Sequence, residues 1–136
     1  MEKSEHKVHY YETDKMAVVH HSNYIRWFED ARLDFLQNMN INFASLEEEG
    51  YISPVLSVSA RYISPMKYGD TAITETKLVR ITDYKYEFVY TVKNSADQKI
   101  CAEGKSSHCF LDVNGNPVSL KKSKPEIWKS LAEKKE

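Results

Sequence analysis

One long stretch of this chain has helical periodicity, and most of the residues after it alternate as strands do. In residues 22–39 the apolar positions recur at i, i+4 and i+7, the pattern of an amphipathic helix. From residue 56 onward the period becomes two, with turn residues between successive runs. This order predicts one long buried helix packed by a sheet that forms largely from the second half of the chain.

Apolar and polar residues alternate in 56–62 and 84–93, and residues 71–81 are rich in the strand formers Thr, Ile and Val. Further strands are indicated at 99–111 and, in a short form, at 6–12. A short C-terminal helix is expected from Pro125, because proline is tolerated in a first turn. Since one helix cannot cover both faces of five strands, we predict a single α+β domain over 1–136, with a curved five-stranded antiparallel sheet wrapped around the helix. The uncovered sheet edges favour oligomerisation.

Composition excludes several classes of function. The 136 residues carry 19 basic and 20 acidic side chains, a net charge of −1, which argues against binding to nucleic acid or anionic membranes. No apolar run approaches the roughly 20 residues that span a bilayer, and the N-terminus lacks the apolar segment of a secretory signal. Cys101 and Cys109 would lie about 26 Å apart on an extended strand, too far for a disulfide. Two free thiols predict a cytoplasmic location.

Several catalytic signatures are missing from the sequence. The four glycines are too widely spaced for a dinucleotide-binding or phosphate-binding loop, and there is no G-x-S-x-G. No H-E-x-x-H or C-x-x-C occurs, so zinc is not indicated. We therefore expect no metal and no cofactor.

The informative segment is the loop at residues 13–21, just before the long helix. Asp14 lies ahead of helix N–H groups that have no partner within the helix and carry partial positive charge. A carboxylate beside free N–H groups suits acyl transfer, because the N–H groups can stabilise an oxygen that becomes negative. The same placement also fits a loop aspartate that caps the helix.

These residues resemble those of the hotdog-fold acyl-CoA thioesterases of the 4-hydroxybenzoyl-CoA thioesterase family. The matching motifs are Y-x-E-T-D at 10–14, M-x-V-V at 16–19, H-x-N-Y at 21–24 and W-F-E-x-A-R at 27–32, with further matches at 61–70 and 110–115. The chain departs from the family at Ala17, where the family usually has glycine. A methyl group there would crowd the thioester or require a different loop path.

The resemblance implies a hotdog fold, a homodimer or homotetramer with a site at the subunit boundary, and Asp14 as the catalytic carboxylate. It further implies that the backbone N–H of residue 21 polarises the thioester carbonyl. For its side chain, His21 is a better candidate than His20 to orient water or Asp14, because its spacing continues the buried helical stripe. A histidine that caps the helix start is the alternative.

Four residues are candidates for substrate binding. Asn23 belongs to the H-x-N-Y motif, and Glu29 matches the position that binds the ring hydroxyl in the 4-hydroxybenzoyl enzyme; a structural acid is the alternative for Glu29. Arg61 and Lys67 are candidates for contacts with CoA phosphates, or are simply solvated charges.

The function implied is an acyl-CoA thioesterase that hydrolyses a small or medium acyl-CoA to the free acid and CoA. Two alternatives stay open: a thioesterase that uses Asp14 on an acyl-carrier protein, and a non-catalytic hotdog protein that binds acyl-CoA.

Overall fold

The computed structural model describes residues 1–39 and 43–136. Its strands are β1 (Glu2–Lys7), β2 (Val55–Tyr62), β3 (Thr71–Ile81), β4 (Lys85–Asn94) and β5 (Ile100–Cys109). Its helices are α1 (Ser22–Gln37), α2 (Phe43–Glu48), α3 (Leu120–Ser123) and α4 (Pro125–Lys134), and a single 3-10 turn spans Tyr10–Glu12.

The five strands form one antiparallel sheet in the order β1-β3-β4-β5-β2, so that β1 and β2 are its edges. The long helix α1 packs against this sheet. The predicted α+β architecture, with a curved five-stranded sheet around one long helix and a short C-terminal helix, is confirmed.

The core lies between α1 and the central strands. The buried residues of α1 follow the helical period, and those of β4 follow the strand period: Tyr24, Trp27, Phe28, Ala31, Phe35 and Leu36 on α1, and Tyr86, Phe88, Tyr90 and Val92 on β4. Phe28 stacks on Tyr90 with ring centroids 4.6 Å apart. This close approach needs Gly104, since a Cβ there would lie 2.3 Å from Cε2 of Phe28.

Some predicted elements are wrong. The strand expected at 6–12 ends at Lys7, and residues 10–12 form the 3-10 turn instead. The side chains explain the change, because Tyr10 and Tyr11 are both exposed while Glu12 turns into the protein. The helices α2 and α3 were not predicted.

The apolar residues of β2 are not covered within one chain. Leu56, Val58 and Tyr62 are 47%, 41% and 48% exposed. Their alternation predicted one apolar face, but β2 is an edge strand that pairs only with β5, while α1 covers the central strands. One chain therefore leaves an apolar strand edge open to solvent.

Both cysteines are free, as their spacing predicts, and both are buried. Among the residues described, no helix is sufficiently long and apolar to traverse a lipid bilayer.

Candidate active site in the loop before the long helix

The loop that carries Asp14 is a tight hairpin. Thr13 and Val19 form an antiparallel bridge, and the N–H of Asp14 donates to the carbonyl of Val18 at 2.9 Å, which leaves three residues in the turn. The Asp14 carboxylate accepts a hydrogen bond of 2.8 Å from the N–H of Met16. The side chain is half-buried, so one oxygen orders the turn while the group stays accessible.

Ala17 closes this hairpin in the left-handed conformation, with φ of 62°. Three-residue hairpin loops often end in such a residue, and glycine is favoured there because it has no Cβ to clash. The family's glycine at this position is therefore explained by backbone geometry. The loop keeps that backbone shape with alanine, at a cost of about 1 kcal/mol.

The start of α1 presents one free backbone N–H. The N–H of Ser22 donates to Nδ1 of His20 at 3.2 Å, and that of Asn23 donates to the carbonyl of His20 at 3.0 Å. The N–H of Tyr24 donates to the carbonyl of His21. Within residues 1–39 and 43–136, the N–H of His21 has no acceptor. Because the carbonyl of the same planar peptide group is held by Asn23, this N–H is fixed in direction.

The side chain of His21 is exposed, so the expectation that it continues the buried stripe of α1 is wrong. The helix begins only at Ser22, and His21 precedes it. Its ring lies 4.1 Å from that of His20 and 6.0 Å from that of Tyr62, measured between centroids. It makes no side-chain cap, since His20 takes that place.

Asn23 is buried, and its side-chain amide donates to the carbonyl of Glu12 at 2.8 Å. This environment favours a structural role for Asn23 over the expected contact with substrate, because its amide already joins the loop to the helix. The same bond explains why an asparagine is needed in the H-x-N-Y motif, since a buried donor must find an acceptor.

Glu12 is a buried carboxylate to which sequence reasoning gave no role. Its Oε1 accepts from Nε2 of His6 and from the N–H of His9, both at 2.7 Å, and its Oε2 accepts from Nε1 of Trp27 at 2.9 Å. Burial raises the pKa of Glu12, but these hydrogen bonds outweigh it and hold the pKa below its usual value. We call these four residues the Glu12 cluster. Glu12 belongs to the Y-x-E-T-D motif, which was the available sequence signal. A buried carboxylate requires hydrogen-bond partners, and these are what the cluster supplies.

The ligating atoms of His6, His9 and Glu12 all lie within 4.8 Å of one another, a spacing that can hold a metal ion. The carboxylate oxygens, however, already accept from His6, His9 and Trp27. A metal would have to replace these hydrogen bonds. We therefore treat the group as a hydrogen-bonded cluster.

Glu29 is exposed on α1 and lines a cavity of about 460 Å³. The other walls of this cavity are mostly apolar, with Leu33, Leu36, Leu46, Ile52 and Phe110 among them. Arg32, Glu47 and Tyr86 add polar groups. Glu29 therefore lies at a partly open cavity, and Arg61, another predicted binding residue, lines a separate one of about 370 Å³.

Arg61 and Lys67 are exposed, and each neighbours a residue that holds the Asp14 loop. The hydroxyl of Tyr62 donates to the carbonyl of His21 at 3.3 Å, and the N–H of Val19 donates to the carbonyl of Met66 at 2.8 Å. The segment 61–70 thus runs beside the loop.

A buried polar chain crosses the core behind the cavity. Arg32 donates to the hydroxyl of Tyr90 at 3.4 Å, that hydroxyl meets Oγ of Ser106 at 2.6 Å, and Ser106 meets Nε2 of His108 at 2.7 Å. Burial, together with the charge of Arg32, lowers the pKa of His108 to about 4, although hydrogen bonding to the backbone of Pro54 raises it to a lesser extent. His108 is therefore neutral near pH 7.

A hotdog-like sheet around a long helix, with an acidic hairpin at the start of that helix, defines the class of protein. The family model of the thioesterase-like superfamily matches residues 8–134. The chain belongs to that superfamily, and its resemblance to hotdog-fold acyl-CoA thioesterases is confirmed.

Individual relatives agree with this membership. YneP of Bacillus subtilis, named as a candidate acyl-CoA thioesterase, is 31% identical over 133 residues, which are 97% of this chain and 95% of YneP. The crystal structure of a DHNA-CoA thioesterase from Staphylococcus aureus superposes with a TM-score of 0.91 at 26% identity, covering 96% of this chain and 88% of that one. The acyl-acyl carrier protein thioesterase ATL3 of Arabidopsis thaliana is 24% identical, over 86% of this chain and 62% of ATL3.

Proposed function

We propose that this protein is a thioester hydrolase that converts an acyl-CoA into a free carboxylic acid and CoA, with Asp14 as its catalytic carboxylate. The observation that carries the proposal is the free, fixed N–H of His21 at the end of the Asp14 hairpin. Membership of the thioesterase-like superfamily supports the same reaction. Absence of a metal requirement and a cytoplasmic location stay predictions.

The chemistry needs few groups. The Asp14 carboxylate either attacks the thioester carbonyl carbon or removes a proton from the water that does. The carbonyl oxygen becomes negative as the new bond forms and accepts a hydrogen bond from the N–H of His21, which stabilises the transition state. When the C–S bond breaks, CoA leaves as a thiolate, a good leaving group that needs no strong general acid. If Asp14 is the nucleophile, water then hydrolyses the resulting anhydride.

The cavity beside Glu29 is the proposed site for the acyl group. Glu29 is eight residues from His21, about 12 Å along the helix at 1.5 Å per residue, which suits a small or medium acyl group. The apolar walls and few polar groups of the cavity fit an acyl group that carries a polar substituent. The similarity to a DHNA-CoA thioesterase makes the 1,4-dihydroxy-2-naphthoyl thioester the first compound to test.

CoA is favoured over an acyl-carrier protein as the carrier. The exposed cations Arg61 and Lys67 beside the loop suit the phosphates of CoA. The relative named for the carrier-protein reaction is matched over a smaller share of its length than YneP.

We also propose that two copies pair through β2. An uncovered edge strand with apolar side chains is a template for pairing with another strand. The exposed Leu56, Val58 and Tyr62 support this, and Tyr62 also contacts the carbonyl of His21. The partner edge would then lie beside the proposed site.

The test is a panel of acyl-CoA thioesters of different length and aromaticity, with free CoA detected by a thiol-reactive dye. We expect Asp14→Asn to lower kcat by about 10²–10⁴-fold, because the amide is not a base at neutral pH. Asp97→Asn is the matched control, since Asp97 makes the same bond to an N–H two residues on, at 3.0 Å, in a remote turn.

Both variants should melt within a few degrees of the wild type, because asparagine keeps the accepting oxygen. Release of CoA from no thioester would favour a non-catalytic binder. If Asp14→Asn kept more than about a tenth of the wild-type turnover, Asp14 would not be the catalytic carboxylate.

A further inference from the structure

Glu12 holds together the parts of the protein that form the proposed site. We propose that Glu12 is a positioning residue for thioester hydrolysis: its buried carboxylate fixes the Asp14 hairpin against the start of α1. The expected effect of Glu12 on hydrolysis rests on the proposed function. The contacts by which Glu12 holds the loop do not depend on that function.

The side chain of Glu12 joins three segments. His6 donates from β1, the N–H of His9 donates from just before the 3-10 turn, and Trp27 donates from the second turn of α1. Glu12 and Trp27 are 5% and 2% exposed, so these bonds are shielded from water. Charged hydrogen bonds in such surroundings are stronger than ordinary ones.

The main chain of Glu12 holds the other end of the loop. Its carbonyl accepts from the N–H of His20 and from the side-chain amide of Asn23, each at 2.8 Å. The hairpin that carries Asp14 is therefore closed at its base by one residue. By holding the N–H of His20, that residue fixes the peptide group just before the one whose N–H, that of His21, is the proposed donor to the substrate.

The carboxylate acts through these contacts and not on the substrate. Both of its oxygens are occupied by protein donors. An amide cannot replace it, because glutamine has one accepting oxygen, and its NH₂ group would face either the N–H of His9 or the indole N–H of Trp27. Glu12→Gln therefore brings two donors together and should shift the loop.

The decisive experiment is a cycle of Glu12→Gln, Trp27→Phe and the double variant, with Glu5→Gln as the control for charge on an exposed position of β1. A displacement of about 1 Å at a reacting group costs about 10²-fold in rate, so we expect kcat of Glu12→Gln to fall by about that factor with KM within about threefold. Trp27→Phe removes one donor and should cost about tenfold or less. The double variant should return towards the Trp27→Phe rate, because the conflict between donors is gone.

A second readout does not depend on activity. Amide hydrogens in residues 13–21 should exchange faster in Glu12→Gln than in the wild type and Glu5→Gln. If Glu12→Gln fails to fold, Trp27→Phe alone carries the test, and unchanged kcat and exchange in that variant overturn the proposal. In a folded Glu12→Gln, kcat within twofold of the wild type overturns it, as does a loss explained by the unfolded fraction.

The two proposals fail differently. If the wild type releases CoA from no thioester, the proposed function is wrong, and the exchange rates alone decide whether Glu12 positions the loop. If the wild type is active and Glu12→Gln is equally active, only the role of Glu12 is wrong.

Discussion

Acidification below about pH 6.5 should destabilise this protein through His108. Burial, then the charge of Arg32, holds the pKa of His108 at about 4, against an ordinary value of 6.5. The folded state therefore favours the neutral ring, whereas the unfolded chain takes up a proton below pH 6.5. The contribution of His108 to the free energy of unfolding is therefore complete above pH 6.5 and is lost as the pH falls towards 4. Tyr86 stacks on the ring and stays neutral throughout, since burial raises its pKa to about 12.

The magnitude follows from the shift. A pKa lowered by 2.5 units corresponds to about 3 kcal/mol, of which about 2 kcal/mol is lost by pH 5. Protonation would also remove the acceptor that Ser106 uses, so the chain through Tyr90 to Arg32 would lose its end. Glu12, whose folded pKa is lowered, loses its contribution only below about pH 4.5, a separate window.

Urea unfolding at pH 7.5 and pH 5 measures this, with the wild type and His108→Gln at equal protein concentration. The variant lacks the titrating group, so other ionisations cancel in the difference between the two proteins. We expect the stability advantage of the wild type to shrink by about 2 kcal/mol between the two values of pH. Parallel loss in both proteins would refute the reasoning, because His108 would then carry the same charge when folded and unfolded.

Four further changes have defined outcomes. Ala17→Gly should raise the free energy of unfolding by up to about 1 kcal/mol in chemical denaturation, because φ of 62° suits glycine; a loss would mean that the loop is not left-handed there. Gly104→Ala should cost about 1–3 kcal/mol in the same assay, since its Cβ would meet Phe28. Val58→Lys should convert the sedimenting species from dimer to monomer, and a monomeric wild type would contradict the proposed pairing. His21→Ala should lower kcat less than Asp14→Asn, because the backbone N–H survives the change; an equal loss in both would assign the imidazole a direct role.

Much of the fold could be read from local periodicity. The strand at 71–81 was predicted with the bounds that the structure has, because it is rich in Thr, Ile and Val. The helix begins at Ser22 as predicted, because its apolar residues recur with the helical period. The exposure of β2 could not be read in this way. Val58 alternates like a buried residue, yet it is 41% exposed in the single chain.

The site was readable only in part. The motif placed Asp14 and the N–H of residue 21 in one loop, and the geometry there suits the proposed chemistry. The roles of Glu12 and His108 depend on contacts with Trp27 and Ser106. Trp27 is distant in sequence from Glu12. Ser106 and His108 are close in sequence, but the burial that lowers the pKa of His108 comes from the tertiary packing around it. No local pattern carries that information.

The close contact between Phe28 and Gly104 has a consequence for substrate selectivity. Because the Phe28 ring lies directly on the backbone of Gly104, α1 has little room to move closer to the sheet, and the stacking of Phe28 on Tyr90 favours the present separation. The cavity next to Glu29, which shares α1 as a wall, therefore has a depth that binding energy cannot easily alter. If the acyl group occupies this cavity, as proposed, each missing or surplus methylene group should change substrate discrimination by about 1–3 kcal/mol. Turnover across a homologous acyl series should accordingly show a sharp maximum in place of a gradual trend.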